Sequence, residues 1–274
     1  MLRRPVHADM VAPAPGRAAD CPGPYPRGVR EQPEQQAPPV QRLRIRYTKR
    51  GRLRFTSHRD FSRAFERALV RARVPVAYSS GFNPHPRISY AGAAPTGAAS
   101  EAEYLELGMA AEVDPRQLGA ALDEALPAGL DVVDVVVSQG GSLADLLEGS
   151  HWRITVDGLS PARAEEAVTA FLAAEDVQVE RMTKKGLRTF DCRAAVVSLT
   201  SHASEDRAGE CAILDVVLRH GTPSVRPDDI LAGLREIAGL EMAAAPLHER
   251  LAQGPLDTES GTVGDPFAHD RDTT

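Results

Sequence analysis

From Gln41 the chain alternates. Leu43, Ile45 and Tyr47 occupy one phase and Arg42, Arg44 and Arg46 the other, the period of two expected of a strand with one buried face. Beyond Lys49-Arg50-Gly51, which reads as a turn, Leu53 and Phe55 resume the alternation against Arg52 and Arg54. The period then lengthens. Ser57, with Asp60 three residues on, predicts a helix start of the capping-box kind, and Phe61, Ala64, Phe65, Ala68 and Leu69 form its apolar stripe. Arg59, Arg63, Arg67 and Arg71 recur every fourth residue as a second stripe. Strands are expected at 74–78, at 103–109 with Leu105, Leu107 and Met109 on one face, and at the valine-rich 131–137. Between the last two, Asp114-Pro115 supplies an N-cap and a proline for a helix carrying Leu118, Ala121, Leu122 and Ala125. The order β-α-β-β-α-β is that of a ferredoxin-like unit.

A second round follows Gly140-Gly141. Trp152, Ile154 and Val156 alternate, and Ser160-Pro161 opens a helix with Ala164, Ala167, Val168, Phe171 and Leu172. Strands are predicted at 177–183, 187–199 and 211–219, a helix at 227–237, and a last short strand near 240–247. The fold class expected is α+β: two ferredoxin-like halves, 40–139 and 150–252, each with its own mainly antiparallel sheet. Residues 1–39 hold nine prolines and no apolar period, which reads as a disordered leader. The polar, acidic stretch 253–274 reads as a disordered tail.

Charge changes this picture by its placement. Between Gln41 and Tyr90 thirteen Lys and Arg face only Asp60 and Glu66, so that window carries +11 and, with a net charge of −6, the rest −17. Such asymmetry predicts a polyanionic partner at one end. Cys21, Cys192 and Cys211 form no C-x-x-C pair, so neither a metal site nor a disulfide framework is expected. Absence of an apolar run of ~20 residues and of a secretory core at the N-terminus predicts a cytoplasmic protein without membrane contact.

The candidate chemistry gathers in 78–97, YSSGFNPHPRISYAGAAPTG, read as a functional loop stiffened by Pro84 and Pro86. If Leu43, Ile45 and Tyr47 lie under the helices, Arg42, Arg44 and Arg46 project from the open sheet face. With Arg54 and the loop residues Asn83, His85 and Arg87 they would contact RNA phosphates. Tyr78, Phe82 and Tyr90 are candidates for stacking unpaired bases, although Phe82 and Tyr90 suit loop packing equally. His58, at a helix start, and His85 are also placed as a base and acid for metal-independent RNA cleavage. A third reading is a protein-interaction module whose basic face meets an acidic surface. No P-loop, G-x-S-x-G, H-E-x-x-H or dinucleotide fingerprint occurs in a supporting context.

The segment from Arg46 to Met109 resembles a bacterial family of radical-SAM-linked proteins of unknown function. The likeness rests on Gly51, Leu53, Phe55, Ser57-His58, Asp60, Phe65-Glu66-Arg67-Ala68, Gly81-Phe82-Asn83-Pro84-His85-Pro86-Arg87 and Ser100-Glu101-Ala102-Glu103-Tyr104. It implies the free-standing version of a domain found C-terminal to cobalamin-binding radical SAM proteins. The partner implied is a separately encoded radical SAM enzyme that carries the iron–sulfur cluster, SAM and cobalamin. This chain has no C-x-x-x-C-x-x-C set and is expected to hold no cofactor. The function expected is a non-catalytic accessory protein that positions an RNA for that enzyme, with metal-independent RNA cleavage by His58 and His85 and a protein-interaction module without RNA affinity as the alternatives.

Overall fold

The structure, a computed structural model, describes residues 35–183, 186–205 and 210–272. β1 (Gln41–Lys49) runs into a 3-10 turn (Gly51–Phe55) and then α1 (His58–Arg71). Leu53 and Phe55 therefore belong to a helical turn and resume no strand; Gly51, at φ +54°, turns the chain out of the sheet. Ser57 caps α1 as expected, its hydroxyl accepting the Asp60 N–H. β2 (Ile88–Ala91), β3 (Ala99–Met109), α2 (Pro115–Ala125) and β4 (Val132–Val137) complete the first half.

The second strand is not where the pattern placed it. Residues 74–78 make only isolated bridges, Val76 to Met109 and Tyr78 to Pro86, because Pro75 has no N–H to give a ladder. Ile88–Ala91, proline-free, takes the edge of β3 instead, inside the stretch read as a continuous loop.

In the second half come β5 (Gly149–Asp157), α3 (Pro161–Ala173), the hairpin β6 (Gln178–Thr183) and β7 (Gly186–Asp191), β8 (Val196–Ala203), β9 (Cys211–Arg219), α4 (Pro227–Ala238) and β10 (Leu247–Gly254). The two sheets expected are one. Eight strands run β4-β1-β3-β10-β5-β9-β8, with β2 beside β10 on the same edge of β3. The length of β3 is the cause: β2 pairs antiparallel with Tyr104 to Leu107, leaving Ala99 and Ser100 free to take Glu249 and Arg250 of β10 in parallel. The sheet is thus mainly antiparallel with one parallel join.

Each half buries its own apolar core. Leu43, Ile45, Tyr47, Leu105 and Leu107 pack under Phe61, Phe65 and Leu69 of α1 and Leu118 and Leu122 of α2. Trp152, Ile154, Val156, Leu214 and Val216 do the same under Ala164, Val168 and Phe171 of α3 and Ile230 and Leu234 of α4. A third, smaller cluster lies on the other face of the first half, where Tyr104, Val136, Leu143 and Leu147 surround Phe267.

Phe267 overturns the disordered tail. After β10, which runs later than the short strand expected near 240–247, a two-residue ladder forms between β11 (Leu256–Asp257) and β12 (Thr262–Val263). Asp257 closes it, accepting the N–H groups of Glu259 and Ser260. The helical turn α5 (Ala268–Arg271) follows, with Phe267 fully buried just before it. One aromatic anchor and one Asx turn order a segment whose composition looked unstructured. The leader expected at 1–39 lies outside the described residues as far as 34, and 35–39 carry no regular structure. No helix among the described residues is long and apolar enough to cross a membrane.

Candidate functional site

The C-terminal segment decides the fate of the predicted basic face. Arg44 is 1% exposed: it donates to Asp270 at 2.8 Å and to the carbonyls of Gly140 and Gly141 at 2.6 and 3.0 Å. Asp270 is itself completely buried and also accepts the Gln139 N–H. Arg46 donates to the Glu101 carbonyl at 2.9 Å, and Arg42 pairs with Glu106 at 3.2 Å. Asp134 beside Arg46 is engaged by Arg271 of α5. The open face expected for Arg42, Arg44 and Arg46 is therefore largely covered. Arg42, 60% exposed, still meets solvent there, and Arg46 is half-buried.

The loop residues divide three ways. Arg87 donates to the Tyr78 carbonyl at 3.0 Å and its backbone N–H to Ala77, so it braces the excursion from 79 to 86. With Arg42, Ser89 and Glu106 it lines a small groove of about 200 Å³. Phe82, 71% exposed, stands with exposed Asn83 and His85 at the tip, where Ser79 accepts the His85 N–H. Tyr90 points the other way, into the α1 side, edge-on to His58 at 4.8 Å and to Phe61 at 5.8 Å. His58 lies 3.3 Å from the Ser62 hydroxyl. Among the described residues the two imidazoles do not meet, and the His58–His85 pair expected for RNA cleavage is not assembled. Arg54 stacks on Phe55 at 4.7 Å, near the start of α1.

Cations left without carboxylate partners lie on α1. Arg59, Arg63 and Arg67 are exposed, spaced by four residues along one side, and meet no acidic group among the described residues. Arg52, just before the helix, is exposed in the same manner.

The most elaborate polar site is one that sequence reasoning missed. Where the halves join, a cleft of about 540 Å³ is lined by Gly92, Pro95 and Thr96 of the β2–β3 turn, by Trp152 of β5, by Arg226 at the start of α4, and by Arg250 and Gln253 of β10. Arg250 is buried and bonded through all three of its guanidinium nitrogens. Its Nε donates to Ser100 at 3.2 Å, Nη1 to the Gly92 carbonyl at 2.6 Å and to Gln253 at 2.9 Å, and Nη2 to Glu103 at 2.5 Å. Its guanidinium also lies 5.4 Å from the centre of the Trp152 ring. Glu103 accepts the Ala94 N–H, and buried Lys49 donates to the carbonyls of Ala94 and Pro95. Burial pulls the Lys49 ammonium below its ordinary pKa, and the charge of Glu103 pulls it back. The turn that walls the cleft is thus braced by three buried charged groups from three strands. Gly92 permits this closeness: at φ +57°, a Cβ there would strike Gln253 at 2.4 Å. A second cleft of about 290 Å³, containing Arg54 and His248, shares Pro95, Thr96, Trp152 and Pro227 with the first.

A signal for this network does exist in the sequence. Lys49 continues the phase of Leu43, Ile45 and Tyr47, and Glu103 that of Leu105, Leu107 and Met109, so each is a charged group at a core position. Arg250, its partner 147 residues from Glu103, lies in a stretch without such a pattern.

Comparison with known proteins adds a family and little more. Residues 42–227 match the model of a family described as "Uncharacterized protein conserved in bacteria (DUF2344)". No curated protein matches the chain. Among solved structures, the crystal structure of an unknown protein from Galdieria sulphuraria is similar, with 16% identity over 77% of this chain and 98% of that one, at a TM-score of 0.23.

Proposed function

The chain belongs to this uncharacterized family conserved in bacteria, and from that premise we propose a cytoplasmic accessory protein that binds RNA for a separately encoded radical SAM enzyme. The cluster, SAM and cobalamin belong to that partner. The likeness noted at Gly81 to Arg87 and at Ser100 to Tyr104 supports the link to the enzyme. The RNA surface is the arginine ridge of α1 rather than the sheet. One observation carries this: Arg59, Arg63 and Arg67 are exposed and unneutralised, whereas Arg44 and Arg46 of β1 are spent on internal acceptors. Guanidiniums at helical spacing of four residues lie about 6 Å apart, a spacing that suits successive phosphate contacts. Exposed Phe82 supplies a stacking face. In both halves the four main strands stand in the order fourth, first, third, second, all antiparallel, which supports two ferredoxin-like units with β6 and β7 inserted in the second.

The test is RNA affinity over a salt series. Replacing Arg59, Arg63 and Arg67 together by Ala is expected to flatten the slope of log affinity against log salt by about 2 units, at ~0.7 per phosphate on a single strand. Replacing Arg42 alone should change it by at most ~0.7. Tight RNA binding with an unaltered slope in the triple variant would remove the ridge from the proposal. Absence of RNA affinity, with capture of the radical enzyme retained, would leave the protein-interaction reading.

A further inference from the structure

At the floor of the 540 Å³ cleft the hydrogen bonds have a direction. His220 Nδ1 lies 2.7 Å from the Leu147 carbonyl, an atom that only accepts, so Nδ1 carries the proton. In the neutral ring Nε2 is then an acceptor, and the group 2.9 Å from it is the Ser150 hydroxyl. Trp152 Nε1, which only donates, reaches the same hydroxyl oxygen at 2.8 Å. One assignment satisfies all three: indole N–H to Ser150 Oγ, Ser150 O–H to His220 Nε2, and His220 Nδ1–H to Leu147. Burial pushes the imidazole below its usual pKa, against the bond to Leu147, and so favours the neutral ring. Ser150, Trp152 and His220 all line the cleft.

We propose that Ser150 and His220 form a nucleophile–base pair, oriented by the Leu147 carbonyl, that acts on a small carboxylic ester bound in the cleft between the halves. The pattern is nucleophile, base and orienting acceptor, each within hydrogen-bond reach of the next. Trp152 occupies one lone pair of Ser150 Oγ and leaves the other for attack. As Oγ bonds to the ester carbonyl carbon, the hydroxyl proton passes to Nε2, and the imidazolium keeps its Nδ1–H on Leu147. Collapse breaks the bond to the alcohol oxygen, which leaves with the Nε2 proton. Water then attacks the acyl-serine, gives a proton to Nε2, and releases the acid as that proton returns to Oγ. The sum is ester plus water to acid plus alcohol. The cleft volume lies in the range of small-molecule sites. This activity is independent of the RNA-binding ridge, and the variants below leave that ridge untouched.

The experiment treats the full chain with a fluorophosphonate probe and maps the adduct by peptide mass spectrometry, with near-ultraviolet circular dichroism checking that each variant is folded. Expected is a single serine adduct at Ser150, absent in Ser150→Ala and slowed about a hundredfold in His220→Ala, the scale of lost general-base assistance. A thiol reports the same pairing without needing the cleft to admit a phosphonate. Ser150→Cys is expected to react with iodoacetamide at that position about a hundredfold faster than the same variant carrying His220→Ala. Equal alkylation rates with and without His220, or a folded wild-type chain labelled at Ser224 or elsewhere and not at Ser150, would overturn the proposal.

Discussion

β1 and α1 carry arginines at similar density and come from adjacent stretches of chain, yet their charge does different things. On β1, Arg44 and Arg46 are turned into internal fasteners. One is locked to Asp270 across 226 residues, and the other to a carbonyl of β3. On α1, Arg59, Arg63 and Arg67 remain at the surface. The +11 of the window is therefore not the charge that a partner meets. What separates the two is distant sequence: the acidic C-terminal segment covers the sheet face and leaves the helix bare. A charge run read locally gives the sign of a surface only if nothing folds back onto it.

Removing the cover is the most severe way to break this contrast. Phe267→Ala empties a fully buried position between Tyr104, Leu143 and Leu147, and the expected loss is about 3–5 kcal/mol in urea unfolding. Asp270→Ala should cost a similar amount, about 3–5 kcal/mol, because Arg44 would stay buried with Glu106 at 3.4 Å as its remaining carboxylate. Loss of less than ~1 kcal/mol in both variants would mean that the C-terminal segment only rests on the sheet. By contrast, the triple change of Arg59, Arg63 and Arg67 to Ala should leave unfolding within about 0.5 kcal/mol per site while weakening RNA binding.

Those expectations show what the sequence made legible. Alternation placed Leu43, Ile45 and Tyr47 under the helices, and the caps at Ser57, Asp114 and Ser160 marked three helix starts, because these signals act within a few residues. The join of the halves was not legible: it rests on two spare residues of β3 meeting β10, and nothing local announces it. The site fared likewise. Arg42 and Arg87 do come together on one groove, and His58 and Tyr90 touch, but Arg44 and Tyr90 turn inward and His85 stays apart. The cleft was missed because its walls come from four separate stretches and its histidine, His220, follows a strand with no motif around it.

A pH series tests the cleft. The folded-state pKa of His220 is lowered by burial, so the unfolded chain binds the proton more readily. Its contribution to stability is present above the unfolded value near 6.5 and is lost as pH falls from there through the lower folded value. The neutral ring of His248 is favoured by burial too, with Asp228 opposing, and adds in the same direction. Melting temperature should therefore fall as the pH drops below about 6.5, and His220→Gln should flatten part of that fall. A melting temperature that rises in that range would mean that a proton is gained on folding, and the direction assigned to the hydrogen bonds at Ser150 would be wrong.

The smallest effect separates two neighbours on β1 that the sequence treats alike. Arg42 and Arg44 both reach Glu106, at 3.2 and 3.4 Å, from positions two residues apart on one face. Arg42 is mostly in water, so its pair is screened and its side chain loses rotamer freedom to hold it. Removing it orphans nothing: Glu106 keeps Arg44 and lies 3.5 Å from the Ser138 hydroxyl. Arg42→Ala should thus cost about 0.2–1 kcal/mol, a value that shrinks in 1 M salt. Arg44→Ala removes the buried ion pair to Asp270 and one of the two pairs of Glu106, and leaves the Gly140 and Gly141 carbonyls without their donor, so it should cost several-fold more and respond little to salt. Equal losses for the two, or salt sensitivity at Arg44, would show that water reaches beneath Phe267 and that the face is open after all.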